Sequence, residues 1–120
     1  MIYHITTKNS FNVAQFIGEY KAASLETEGF IHCSTDKQIV PVANAFYKGQ
    51  HGLILLQLDE SRIKPQVKWE APAGAPAEGI DESDLFPHIY GPINLDALVS
   101  VIDFEPDPIT GIFSSPLLDN

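Results

Sequence analysis

Three of the four histidines sit in short strings of strand-forming residues. His4 lies in Ile2-Tyr3-His4-Ile5-Thr6, His32 in Glu28-Gly29-Phe30-Ile31-His32-Cys33-Ser34-Thr35, and His88 in Phe86-Pro87-His88-Ile89-Tyr90-Gly91-Pro92. Imidazole is the side chain whose ordinary pKa lies nearest neutrality, so such residues suit proton transfer or paired donor and acceptor work. A single histidine among apolar residues is more often a hydrogen-bonded core residue. Three of them would repeat a desolvation cost without return. The sequence therefore predicts one cleft shared by His4, His32 and His88. Hydroxyls from Thr6, Ser34 and Tyr90 neighbour them and suit binding to ribose, phosphate or another small polar group.

Other chemistry is weaker. Cys33 is the only cysteine. It follows His32 on the strand, so the two side chains point to opposite faces and do not form a nucleophile–base pair. Cys33 is expected to pack as a small hydrophobe. Three imidazoles and a water would make a catalytic zinc shell, yet no local ligand spacing supports one. No metal is expected. Phosphate-binding glycine loops of the G-x-x-x-x-G-K-[ST] and G-x-G-x-x-G types, and G-x-S-x-G elbows, are absent. Glu70 ends a strand-like segment beside a long loop, where it serves equally as a site carboxylate or a solvated charge. His51 lies between Gln50 and Gly52 and reads as a surface turn.

The elements that must position these residues alternate between strand and helix signals. Ile2–Thr6 reads as a strand with Ile2, His4 and Thr6 on one face. A short helix is expected over Phe11–Gly18 with Ser10 as its cap, and another helical turn over Ser24–Glu28. Phe30–Cys33 reads as a short strand. Thr35 and Gln38 form a capping-box pair ahead of a helix over Asp36–Tyr47, with Pro41 inside it. Leu53–Leu58 reads as a central strand and Gln66–Glu70 as an alternating one. Ala71–Asp84 is a long loop, of the kind that is often functional or mobile. Phe86–Tyr90 and Leu98–Phe104 complete the strands, with a helical turn at Asn94–Leu98. The order predicts an α+β domain over residues 1–104 and an irregular tail over 105–120.

Length and charge narrow the partners. A chain of 120 residues is one domain that can bury a core without disulfides or metal. Sixteen acidic residues against seven basic ones, with Arg62 the lone arginine, exclude a long nucleic acid as the natural partner. No signal peptide or membrane-length apolar run is visible, and one cysteine fits a reducing compartment. A cytoplasmic protein, a monomer or weak oligomer, binding a small nucleotide-like molecule, is the expectation.

At these same strings the chain resembles the domain of unknown function 952 family. The matching pieces are Ile2-Tyr3-His4-Ile5, Gly18-Glu19-Tyr20, Ser24-Leu25, Glu28-Gly29-Phe30-Ile31-His32-Cys33-Ser34, Val42-Ala43-Asn44, Phe46-Tyr47, Leu55-Leu56 through Asp59, Trp69-Glu70 and Phe86-Pro87-His88-Ile89-Tyr90-Gly91-Pro92. Phe11 stands where the family usually has a Trp on the first helix. The resemblance implies a split, mainly antiparallel sheet of the ADP-ribosyltransferase type, which includes the NAD-dependent RNA 2′-phosphotransferases, with NAD in a central cleft. It places His4 and Thr6 at the adenosine ribose and His32 near the nicotinamide. The third motif, usually a Glu, falls in the region of His88. The lone arginine argues against an RNA 2′-phosphate substrate. Three functions stay open: an NAD- or nucleotide-using transferase-like enzyme, with His32 and His88 orienting ligand or moving a proton and Glu70 stabilising charge; a non-catalytic nucleotide-binding module; and a zinc-dependent hydrolase.

Overall fold

The computed structural model describes residues 1–72, 74 and 76–117. In chain order the elements are β1 (Ile2–Thr7), α1 (Lys8–Ile17), β2 (Glu19–Tyr20), α2 (Ala23–Thr27), β3 (Ile31–His32), α3 (Ile39–Phe46), β4 (Leu53–Leu58), β5 (Val67–Glu70), β6 (Phe86–Ile89), β7 (Ile93–Asn94) and β8 (Leu98–Asp103). The fold is α+β and its described strand pairings are antiparallel.

One sheet runs β1-β4-β8 and another β3-β6-β5; β2 and β7 pair separately. The two larger sheets meet at one bridge, where Tyr3 and Ser34 exchange both backbone hydrogen bonds at 2.8 Å. Past that bridge they part. Pro87 shortens the ladder within the second sheet. It lies in β6 between two partner strands, and with no N–H it can only accept from Cys33 N, at 3.0 Å. The β3 ladder accordingly contains only Ile31 and His32.

Strand β4 explains the most apolar segment of the chain. It pairs on both sides and is buried on both faces, so it reads as a continuous run rather than an alternation. Ile54, Leu56 and Leu58 join Ile2, Phe11, Ala14 and Tyr20 in one cluster, while Leu53 and Leu55 join Tyr3, Ile5, Ile39 and Ala43 in the other. The tail after β8 closes the second cluster: Phe113 packs against Phe104, with ring centroids 4.7 Å apart. Asn44 holds it there, accepting from Phe113 N at 2.8 Å and donating to Phe113 O at 3.2 Å.

Two helix starts differ from the sequence reading. Helix α1 begins at Lys8, and Thr7 rather than Ser10 caps it, accepting from Ser10 N. Thr7 ends β1 with extended backbone, as the N-cap position requires. Gly18 closes the helix at φ 100°, a conformation that suits glycine. Helix α3 begins at Ile39, not Asp36. Pro41 thereby falls in the first turn, where a missing N–H costs nothing. Half of the capping box forms: Gln38 Oε1 accepts from Thr35 N at 2.9 Å, and its Nε2 donates to Leu85 O.

Gly91 is fixed by crowding. A Cβ there would lie 2.9 Å from Cβ of Pro65. Gly91→Ala is expected to cost about 1–3 kcal/mol by overpacking, read as a lower urea midpoint at unchanged slope. A variant as stable as the parent would show that the Pro65 segment yields freely.

Candidate functional site

The gap between the diverging sheets holds a cavity of about 580 Å³ whose walls include His4, Thr6, Tyr20, His32, Ser34 and His88. The three histidines thus meet at one cavity although they are distant in sequence. Its lining is also apolar in part, with Val42 and Phe46 of α3, Tyr47 at the end of that helix, Pro72 and Ala77 of the long loop, and Phe86. The lining contains one cation, Lys21, which lies 3.4 Å from Glu19.

His4 is the most constrained of the three. It shares the Ile2–Thr6 face of β1 and is buried. Its Nδ1 donates to His32 O at 2.6 Å across the split between the sheets. A carbonyl only accepts, so Nδ1 carries the proton and neutral His4 presents a lone pair at Nε2. The Tyr20 hydroxyl lies 2.8 Å from that Nε2 and 2.8 Å from Thr6 Oγ1. With His4 neutral, the proton count runs Thr6 to Tyr20 to His4. Burial lowers the His4 pKa to about 4, opposed by the His32 carbonyl, and raises that of Tyr20 to about 12. Both ring nitrogens of His4 are occupied. Its part in the geometry is to hold Tyr20 and Thr6 in place.

His32 and His88 form a directly opposed pair across β3 and β6, with ring centroids 5.6 Å apart. Each has a carboxylate. His32 Nε2 lies 2.9 Å from Glu28 Oε2, and His88 Nδ1 lies 2.9 Å from Glu70 Oε1. Glu70 sits diagonally from His88 on the same face of β5, since Lys68 is the residue directly opposite. Tyr90 donates to the same Glu70 oxygen. These two hydrogen bonds, Tyr90 first, hold the Glu70 carboxyl below its ordinary range. Phe30 stacks on His88 at 4.1 Å and meets His32 edge-on at 4.8 Å, which fixes both rings. No buried side-chain nitrogen or oxygen among the described residues lacks a partner. His88 Nε2 has no hydrogen-bond partner among the described residues and is therefore not fully buried, and His88 lines the cavity.

The other sequence candidates separate. Thr6 and Ser34 line the cavity, whereas Glu70 and Tyr90 stand outside the lining. Cys33 borders the cavity as well as packing in the apolar cluster, and burial pushes its thiol well above the ordinary range, which fits a packing residue. His51 is exposed and pairs with Glu105 at 3.0 Å. Among the described residues no group of three His, Cys, Asp or Glu side chains is placed to hold a metal ion. Two functional candidates escaped sequence reasoning, Tyr20 and Glu28. Both occur in the motif strings, Gly18-Glu19-Tyr20 and Glu28-Gly29-Phe30, but neither carries a local signal of its partner.

The family described as protein of unknown function (DUF952) matches residues 5–101. The chain belongs to that family. The match begins one residue after His4 and takes in His32, Glu70 and His88. The fold of this DUF952 protein is similar to the crystal structure of protein CC0527 from Caulobacter crescentus, a Northeast Structural Genomics Consortium target. That likeness has a TM-score of 0.79 and 27% identity over 94% of this chain and 92% of the other. The solution NMR structure of CC0527 gives a TM-score of 0.71 and 28% identity, over 88% and 85% of the two chains. No curated protein matches the chain. No helix among the described residues is long and apolar enough to cross a membrane.

Proposed function

We propose that this DUF952 protein is an ADP-ribosyltransferase-like enzyme whose three-histidine cleft binds a ribose-containing ligand, NAD or a related nucleotide, and acts at the ribosyl C1′. One observation carries the reading: two imidazoles, each hydrogen-bonded to its own carboxylate, face one cavity beside a rigid set of hydroxyls. Breaking a bond at C1′ develops positive charge on the sugar. The net charge of −9 favours such a transition state, as do Glu28 and Glu70 acting through the imidazoles that line the cavity. A phosphoryl transition state spreads negative charge and calls for cations, and among the described residues the lining offers only Lys21. Tyr20 and Thr6, held in place by His4, would seat the ribose hydroxyls, with Ser34 beside them. The apolar wall of α3 and Phe86 would take the base.

Calorimetry with NAD, ADP-ribose and nucleosides, beside an assay for the released base, tests this. Tyr20→Phe is expected to weaken binding. One hydrogen bond to a neutral group is worth about 0.5–1.5 kcal/mol, or roughly three- to tenfold in Kd. No binding of any riboside at millimolar concentration would remove the reading. A second reading, a non-catalytic nucleotide-binding module, is favoured by the absence of Glu70 from the cavity wall. It predicts binding of the same ligands with no product.

A further inference from the structure

We propose that the riboside cleaved in this cavity is an uncharged N-ribosyl purine or pyrimidine, with His88 as the base that activates water and His32 as the acid that protonates the leaving nitrogen. This rests on the reading above that the cavity acts at a ribosyl C1′, and puts an uncharged nucleoside in place of a nucleotide as the substrate. Among N-ribosides the leaving group decides what catalytic help is needed. A pyridinium base such as nicotinamide departs as a neutral molecule and takes up no proton. A purine or pyrimidine leaving from an uncharged nucleoside departs as an anion unless an acid supplies one. A site for the first needs charge stabilisation only. A site for the second needs an acid as well as a base.

The pair on β3 and β6 differs in exposure: His88 is buried, whereas His32 and its partner Glu28 are open to solvent. Glu70 takes His88 Nδ1–H, which leaves Nε2 as a lone pair. Glu28 takes His32 at Nε2, which leaves Nδ1 without a hydrogen-bond partner among the described residues. Opposite nitrogens are therefore free on the two facing rings, 5.6 Å apart at their centroids. In its doubly protonated form His32 offers Nδ1–H, and Glu28 balances the charge. The carboxylates are positioning residues that act through the imidazoles. The lining agrees on the substrate's charge. A dinucleotide would bring a pyrophosphate into a cavity whose one cation, Lys21, already faces Glu19 at 3.4 Å.

The step balances. Water gives a proton to His88 Nε2 as its oxygen bonds to C1′. The C1′–N bond breaks with its electron pair going to the base, and that nitrogen takes the His32 Nδ1 proton. Free ribose and free base leave, and the two imidazoles reset by exchanging one proton with solvent.

The test uses the full chain with adenosine, inosine, cytidine and uridine as probes, and NAD and p-nitrophenyl β-riboside for comparison. Base release from at least one nucleoside should exceed nicotinamide release from NAD. His32→Ala should slow nucleoside cleavage by about 100-fold or more. The same variant should slow p-nitrophenyl riboside cleavage by less than about tenfold, because nitrophenolate leaves without a proton. Glu28→Ala, at an exposed position, should shift the two substrates in the same sense by less, and Glu28→Gln should restore part of the loss. Equal losses on both substrates, or faster turnover of NAD, would overturn the proposal. Nucleosides that bind but are never cleaved would also overturn it, while leaving the ligand reading intact. Failure of NAD and nucleosides alike to bind would remove both.

Discussion

His88→Ala is expected to slow turnover about 100- to 10,000-fold, the usual worth of a positioned general base, while changing ligand affinity by no more than a few fold. The expectation follows from where His88 stands. It is buried, it lies on β6, the central strand of the β3-β6-β5 sheet, and its Nδ1 is committed to Glu70 while Tyr90 holds that carboxylate. Such an arrangement fixes the tautomer and orientation of the ring before any ligand arrives, and leaves Nε2 free on a residue that lines the cavity. A group that acts in the transition state lowers kcat without a matching change in ground-state affinity. Glu70→Gln should lie between the parent and His88→Ala, because an amide oxygen still accepts from Nδ1 but carries no charge. Because Phe30 stacks on His88, kcat is compared after urea unfolding shows each variant folded. A rise in Kd with no turnover in the parent would favour the binding module.

Much of the frame was legible in the sequence because its signals are local. The alternation in Ile2–Thr6 gave the face of His4, and the apolar run Leu53–Leu58 gave the doubly buried strand. Strands β2 and β7 were not legible. Each has two residues, Glu19–Tyr20 and Ile93–Asn94, and exists only because the other lies beside it. The start of α1 was misplaced because Thr7 and Ser10 are both good caps. Only the end of β1 decides which has extended backbone. The site divides in the same way. Three histidines in strand-like strings were visible, and so was the choice of Cys33 as a packing residue. What each imidazole does was not visible, because that depends on its partner. Tyr20 reaches His4 from β2, and Glu28 reaches His32 from the turn after α2, in contacts that no spacing rule encodes. The part of His4 also changes with its partners. A residue read as a ribose contact has both nitrogens occupied and becomes the support for two hydroxyls.

That support should show in the pH dependence of stability. His4 titrates near 6.5 when the chain is unfolded and near 4 when it is buried in the fold. Between those values the unfolded chain binds the extra proton, so stability rises with pH across this window. The contribution is complete above about pH 6.5, is lost as pH falls towards 4, and changes no further below that, where both states are protonated. At about 1.4 kcal/mol per pKa unit, the loss from pH 7.5 to pH 4 amounts to roughly 3 kcal/mol. Carboxylates such as Glu70 and Glu105, held below their ordinary range by hydrogen bonds, act lower. Their stabilisation is present above the unfolded carboxylate pKa and is lost as pH falls through the folded one. His4→Gln separates the two effects. Glutamine can donate to His32 O and accept from Tyr20 but has no proton to gain. Urea unfolding at pH 7.5, 5.5 and 4.5 should show the parent losing stability between the first two values while the variant holds nearly level. Parallel curves for the two proteins would mean that His4 is not the buried neutral imidazole on which the Tyr20–Thr6 pair depends.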